Sequence, residues 1–475
     1  VVVCAAVETK FMLGPIAGEV APQIAWSGLQ ATDLTFDLLP AKGHGEWWID
    51  EYTATWADTP RAESYAAAQA AVDAEYTAWA AGCRRMVGHG SAGSSAAALA
   101  AAVDYAAYVT WSCVVAPAGH LRRPAMYMSK NAMASIWSWD NCFNALALAS
   151  HAPQLAWDQL MVMLDLQDPS GAVPDLANDR FVSWSFCKPP VYGWALARLA
   201  RVPGLLTAAR LAEIYGPLCR VTEWWFRHRD DNGDGMPQYN HGNECGWDNS
   251  TVFRALPPID APDLAAYLVI QMEFLAWAAA QLGREDESSE WQARGARLLQ
   301  QMLALFWRGD RFVARQSLPG PQASTDLVSA LASPTATEID CDSLLLFIPL
   351  LLGKRLPQAI ITPLVARLRE PGHFLTAHGL ASESTSSQFY EPDGYWRGPL
   401  WGAPMVMLVE GLTAVGETEL AADLRRRFCA LVAARGLAEN YDALTGEPLR
   451  DRAFTWTASA FLLLAAELGE AGRTA

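Results

Sequence analysis

A stretch around Glu244-Cys245-Gly246-Trp247-Asp248-Asn249-Ser250 sets carboxylates, amides, an aromatic ring and glycine where a long run of helical periodicity breaks off. Glycine permits a tight turn, and an indole beside Asp248 strips water from its carboxyl and favours the protonated form near neutral pH. A carboxyl that keeps its proton at that pH is what a general acid requires. A general acid works with a second group, so the other carboxylates that lie among aromatics are the next candidates.

Four further clusters qualify. In Trp137-Ser138-Trp139-Asp140 the carboxylate either caps a helix or accepts hydrogen bonds from sugar hydroxyls between two indole platforms. Lys188 precedes Pro189 and Pro190, with Pro190 placed as a helix-start residue, and Arg180 reads as a loop polar group. Gln388, Tyr395, Trp396, Arg397 and Trp401 fall just before a helix. They suit either core packing with a surface ion pair or a ligand-facing loop, and the loop is preferred because core-like spacing begins only after Gly402. Glu439, Asp442 and Glu447 compete near the C-terminus, where a solvated turn explains each of them equally simply. Glu447 lies between Gly446 and Pro448 and is the most turn-like, so Glu439, at the end of a helical run, is the better base. Trp456 opens the terminal helix.

Asp230, Asn232 and Asp234 follow the D-x-N-x-D-G order of a calcium loop, but His241 stands where a bidentate Glu is expected. A plain Asp/Asn/Gly turn accounts for the same letters. No other cofactor is called for.

Helical periodicity must position these groups. It marks twelve helices near 96–113, 140–150, 154–167, 189–202, 207–229, 259–282, 285–308, 339–352, 357–369, 398–415, 417–435 and 453–470. Twelve helices in pairs suggest six hairpins in a toroid, an all-α (α/α)6 barrel with one mouth. Ahead of it, residues 1–58 carry short β-like runs that resemble the end of a truncated β-sandwich, and 59–94 read as a helical linker, leaving 95–475 as the catalytic domain. The opening residues lack an initiator Met and the basic start of a signal peptide, which suggests a chain beginning inside a longer precursor.

Composition narrows the partners. A formal charge of −16 disfavours nucleic acid, and no unbroken apolar run reaches membrane-spanning length. Nine scattered Cys with no CxxC pair read as reduced thiols in a cytoplasmic protein without a zinc site. The 20 Trp exceed what a helical core usually needs and many fall in loops between helices, where aromatic residues suit sugar faces. The expected partner is therefore a small carbohydrate; oligomeric state is not readable from the sequence.

These blocks, in this order, resemble glycoside hydrolase family 63, in particular its bacterial mannosylglycerate- and glucosylglycerate-hydrolase-like members, with a more distant likeness to inverting trehalases. The resemblance runs over roughly residues 95–470. It implies cleavage of α-glycosidic bonds with inversion on an (α/α)6 barrel. By motif match Asp248 is the general acid and Glu439 the general base, and Asp140, Trp396 and Arg397 belong to the sugar pocket with Trp401 and Trp456 as walls. Two departures stand out: Cys245 replaces the usual Ser, and Lys188 replaces the Gln of glycerate-glycoside relatives. Inversion requires the two carboxyls about 6.5–9.5 Å apart, with Asp248 desolvated by Trp247 and Glu439 in the wetter part of the cleft.

The expectation is an inverting α-glucosidase acting on a short oligosaccharide or small glucoside. The competing classes are a glycoside phosphorylase on the same fold and a carbohydrate-binding protein without catalysis. The first would need a basic anion pocket that the sequence does not display, and the second a missing carboxylate.

Overall fold

Two kinds of helix alternate along the chain. The structure, a computed structural model, describes residues 2–4, 9–28, 31–52, 64–88, 94–317 and 338–474. The 58/59 boundary, the start of the linker at Pro60 and most of the Gly/Ser stretch after Gly88 lie outside the described residues.

Helices α2 (Ser94–Ser112), α6 (Ala208–His228), α9 (Glu285–Phe306), α11 (Gln358–Arg369) and α13 (Thr418–Arg435) bury one stripe each. In α9 that stripe is Trp291, Gly295, Leu298, Met302 and Phe306, the three-to-four-residue spacing of a single helical face. By contrast α3 (Asp140–Leu148), α8 (Pro262–Gln281), α12 (Gly402–Ala414) and the described start of α14 (Thr455–Thr474) are buried nearly all round. A helix apolar on every side must be enclosed by other helices.

These enclosed helices close a ring. α3 packs on α5 (Tyr192–Leu199), α5 on α8, α8 on α10 (Leu344–Arg355), α10 on α12, α12 on α14, and α14 returns to α3. The one-sided helices lie outside: α6 and α9 on α8, α13 on α12 and α14, α2 on α13 and α14, with α4 (Pro153–Leu164) covering α3. This is the (α/α)6 toroid expected from the helix count. α8 is long and apolar enough to cross a membrane by length and composition, and here it is an inner helix buried in protein.

Some boundaries depart from the periodicity in ways that matter for the site. Pro190 lies ahead of α5, which begins at Tyr192, so Lys188 sits on an irregular lead-in. α10 is wound as a 3₁₀ helix, contains Pro349 and breaks at Gly353. The span 398–401, read as helical, is extended: Leu400 N donates to Tyr441 O at 2.7 Å, and Leu400 O accepts the return bond from Tyr441 N at 3.0 Å.

The β-rich segment has antiparallel strands in two groups, β1-β2-β5 and β3-β4, from β1 (Val2–Cys4), β2 (Thr9–Ala17), β3 (Glu19–Trp26), β4 (Ala31–Leu39) and β5 (Glu46–Tyr52). α1 (Tyr65–Val87), within the span read as a linker, packs on α2 and α14 and buries Ala80, Cys83 and Val87. It is therefore tied to the toroid along its second half.

Candidate active site

Helix starts converge on one cavity of about 260 Å³. Asp140 is the first residue of α3, Trp401 precedes α12, Trp456 stands in the first turn of α14, and Lys188 leads into α5. All four line the cavity, as do Trp137, Trp139, Tyr395, Trp396, Asp248 and Glu439. The free N–H groups at a helix N-terminus favour negative charge, which suits a cavity with several carboxylates.

The Asp248 loop is built from a four-residue helix, α7 (Gly242–Cys245), whose His241 cap accepts from Asn243 N at 3.1 Å. Two glycines are required there. A Cβ on Gly242 would lie 2.0 Å from Asp248 O, and one on Gly246, at φ 76°, would lie 2.3 Å from the Trp139 ring. Glu244 supports the loop from behind: it accepts from Arg229 at 2.5 Å and from Asn240 N at 2.7 Å. Below it, Ser250 meets Ser343 at 2.9 Å and Thr251 donates to Glu383 at 2.6 Å.

Glu439 immediately precedes a short strand, Asn440–Tyr441, which pairs with Pro448–Leu449 and with the extended Leu400. The Tyr395 hydroxyl faces Glu439 as a hydrogen-bond donor. Tyr395 adopts φ 64°, an unusual conformation for a bulky residue, and several contacts hold it there. Its carbonyl accepts from Trp401 Nε1 at 2.9 Å, and the Arg450 guanidinium lies 5.2 Å from its ring centre. Asn249, next to Asp248, donates to Gly394 O at 3.0 Å and accepts from Trp396 N at 2.9 Å. The two carboxylate loops are thus joined through a single amide.

Aromatic rings make the walls. Trp396 and Trp401 stack at 3.9 Å and 3°, and Trp139 meets Trp456 edge-on at 4.8 Å. Trp456 Nε1 is buried with no protein partner, so a donor on the cavity wall is left for a ligand oxygen.

Lys188 is the cation at the centre of the site, with its side chain 5% exposed. Its Nζ donates to Asn243 O at 2.6 Å and lies 3.3 Å from Asp175 Oδ1 and 3.8 Å from Asp248 Oδ1. Burial pulls its pKa down, and the surrounding Asp248, Asp175 and Asp140 outweigh that and hold it above the ordinary value. Burial pushes the Asp140 carboxyl up to about 7 against the pull of Lys188. It also raises Asp248, with Lys188 opposing and Asp175 assisting. Glu439 is raised by burial too, while the Tyr395 hydroxyl pulls it down.

Several expectations need correction. Glu439 is buried whereas Asp248 is half-buried, so the proposed acid, not the base, faces more water. Trp247 is buried outside the cavity lining and packs on Trp396 at 4.7 Å, backing the wall instead of forming it. Arg397 turns from the cavity to Glu391 at 2.8 Å, and Gln388 is exposed on the surface. The Arg397 side chain leaves because the chain reverses between Glu391 and Arg397, whose backbones bond at 2.7 Å. Asp175, Met128 and Met133 line the cavity without having been anticipated. For Asp175 a signal existed: it stands in the apolar run Val173-Pro174-Asp175-Leu176, where a carboxylate must find a partner.

Residues 133–457 match the family model described as a mannosylglycerate hydrolase MGH1-like glycoside hydrolase domain. The chain belongs to this family. It is therefore a glycoside hydrolase of family 63, and the mannosylglycerate hydrolase of Thermus thermophilus is 25% identical to it over 402 residues, 68% of this chain and 92% of the relative. The glucosylglycerate hydrolase of Mycolicibacterium hassiacum is 25% identical over 416 residues, 69% of this chain and 91% of that one. Among solved structures, a family 63 mannosylglycerate hydrolase from Thermus thermophilus in complex with glucose aligns with a TM-score of 0.62 at 22% identity, covering 75% of this chain and 98% of the other. The neutral trehalase of Saccharomyces cerevisiae aligns at 0.56 with 13% identity, covering 73% of each chain. Both share the toroid, and at these identities the likeness speaks for fold alone.

Proposed function

We propose that this family 63 hydrolase cleaves the α-glucosidic bond of a small glucoside or short oligosaccharide with inversion, Asp248 acting as general acid and Glu439 as general base. The observation that carries this is the meeting of these two carboxylates, 191 residues apart by their numbers (439 − 248), on one small cavity walled by indoles. The cavity is near the lower end of ordinary ligand pockets, about 300–1,000 Å³, and suits one sugar ring instead of a polymer segment.

Asp248 gives its proton to the glycosidic oxygen as the bond to the anomeric carbon breaks. Glu439 takes a proton from a water that attacks that carbon from the opposite face, and the product is the β-anomer. Burial raises both carboxyls, which keeps Asp248 protonated further toward neutrality and makes Glu439 a stronger base. Asp140, the Trp456 indole N–H and the stacked Trp396 and Trp401 would hold the ring, the first two by hydrogen bonds to hydroxyls and the stack by contact with its apolar face.

NMR that resolves anomers tests the reaction: β-glucose must appear first from an α-glucoside, and early α-glucose overturns inversion. Asp248→Asn and Glu439→Gln should each nearly abolish turnover with an unchanged Tm. Normal activity in Glu439→Gln would move the base to another carboxylate.

A further inference from the structure

A buried ammonium beside the proposed acid bears on how the proton is given up. Lys188 Nζ is pinned by two groups: Asn243 O, in the short helix that leads into Asp248, at 2.6 Å, and Asp175 Oδ1 at 3.3 Å. Those contacts use two of its three donors. Asp248 Oδ1, at 3.8 Å, is within ion-pair range but beyond a hydrogen bond. Other titratable groups face the same pair. Asp140 at the start of α3 faces both Lys188 and Asp248, His241 faces Asp248 from the α7 cap, and Glu439 completes the cavity lining. The Tyr395 hydroxyl and the Cys245 thiol also face Asp248, the Cys187 thiol faces Lys188, and burial keeps all three protonated. His241 is exposed, so water screens its charge, whereas Lys188 is held in a buried, fixed position beside the acid.

We propose that Lys188 is a positioning residue for proton donation: it holds a fixed positive charge against the Asp248 carboxylate that forms as the leaving oxygen takes the proton, and Asp175 keeps the ammonium in place. The inference rests on the reading of Asp248 as general acid and deepens it. As the bond between the anomeric carbon and the leaving oxygen breaks, its electron pair stays on that oxygen. The proton passes from Asp248 to the same oxygen, and Lys188 keeps all of its own. Before the transfer Asp248 is neutral and gains little from an ammonium 3.8 Å away. In the transition state the carboxyl is becoming an anion, and the same ammonium attracts it without having to move. An interaction stronger there than in the bound ground state speeds the step. The two ions act on the acid with opposite sign: Lys188 favours its ionised form and Asp175, a like charge, its protonated form.

The test sets a leaving group that needs a proton against one that does not. kcat/KM is measured across pH for α-glucosylglycerol and for α-glucosyl fluoride, whose fluoride departs without a general acid. Lys188→Gln removes the charge and keeps a donor for Asn243 O. It should lower kcat/KM for α-glucosylglycerol about thirtyfold more than for the fluoride, and move the alkaline limb of the α-glucosylglycerol profile up by about one pH unit. Asp175→Asn should move the same limb to lower pH. Equal losses on the two probes in Lys188→Gln, or limbs that stay put or move in the same direction in the two variants, would mean a packing role alone and overturn the inference. Asp248→Asn separates this from the parent reading. A loss confined to α-glucosylglycerol there keeps Asp248 as the acid whatever Lys188 does, whereas equal loss on both probes removes the acid assignment and the inference with it. If Lys188→Gln does not fold, the direction of the limb in Asp175→Asn decides.

Discussion

Asn249 and Trp396 are joined by a hydrogen bond of 2.9 Å from the Trp396 backbone N–H to the Asn249 side-chain oxygen, and the amide nitrogen of the same side chain reaches Gly394 O at 3.0 Å. The residue beside the proposed acid therefore grips both neighbours of Tyr395, which in turn addresses the proposed base. Asn249→Asp keeps the acceptor and loses the donor to Gly394. We expect kcat to fall by about ten- to a hundredfold through small misplacement of the base, with Tm within a few degrees of wild type because the side chain is exposed. Steady-state kinetics beside a thermal melt check this, and wild-type kcat would show that the latch does not position the site.

Tyr395→Phe isolates the next link. Without the hydroxyl, Glu439 loses the donor that pulls its pKa down, while burial still raises it and the Asp451 backbone and Arg450 still lower it. The base must be ionised, so the acidic limb of kcat/KM moves to higher pH and the rate on that limb falls about tenfold. The alkaline limb, set by the acid, should move less. An unshifted acidic limb would mean that Tyr395 does not act on Glu439.

How much of this could be read without coordinates follows from the residues themselves. Asp248 and Glu439 are legible because each carries a local signature, a glycine-tryptophan turn and an aromatic neighbour after a helix. The inner helices are legible because their residues are apolar all round. Asp175 is hidden because its only mark is the absence of a nearby counter-charge; its partner Lys188 arrives from a different loop. Arg397 misleads because sequence adjacency to Trp396 says nothing about a backbone that reverses and hands the side chain to Glu391. The 3₁₀ winding of α10 is likewise invisible, since an apolar run with one Pro fits either helix type.

The loop at 230–235 yields a prediction about metal. Asp230 Oδ1 accepts from Asp234 N at 3.1 Å and Oδ2 from Gly235 N at 3.0 Å, while Asn232 Oδ1 also accepts from Asp234 N. Among the described residues no three His, Cys, Asp or Glu side chains come together as a metal-holding group. The turn closes on its own amides, so a chelator should leave Tm and kcat unchanged, and millimolar calcium should raise Tm by less than about 2 °C. A larger saturable rise would assign calcium to Asp230, Asn232 and Asp234.

Asp140 provides a prediction about pH and stability with a definite sign. Burial lifts its folded pKa from 3.8 to about 7, so between these values the folded chain holds a proton that the unfolded chain has released. Folding stability from this group is therefore lost progressively as pH rises from about 4 to about 7, and the loss is constant above that range. The rise corresponds to at most about 4 kcal/mol, and rearrangement of Lys188 toward the charged carboxylate would reduce it. Asp140→Asn cannot ionise and escapes this cost. In urea melts the midpoint of the variant relative to wild type should climb from pH 4 to pH 7 and level off, while turnover falls because a hydroxyl-binding carboxylate is gone. A difference that stays flat across that range would mean that Asp140 ionises in the folded protein as readily as in water, with Lys188 fully compensating its burial.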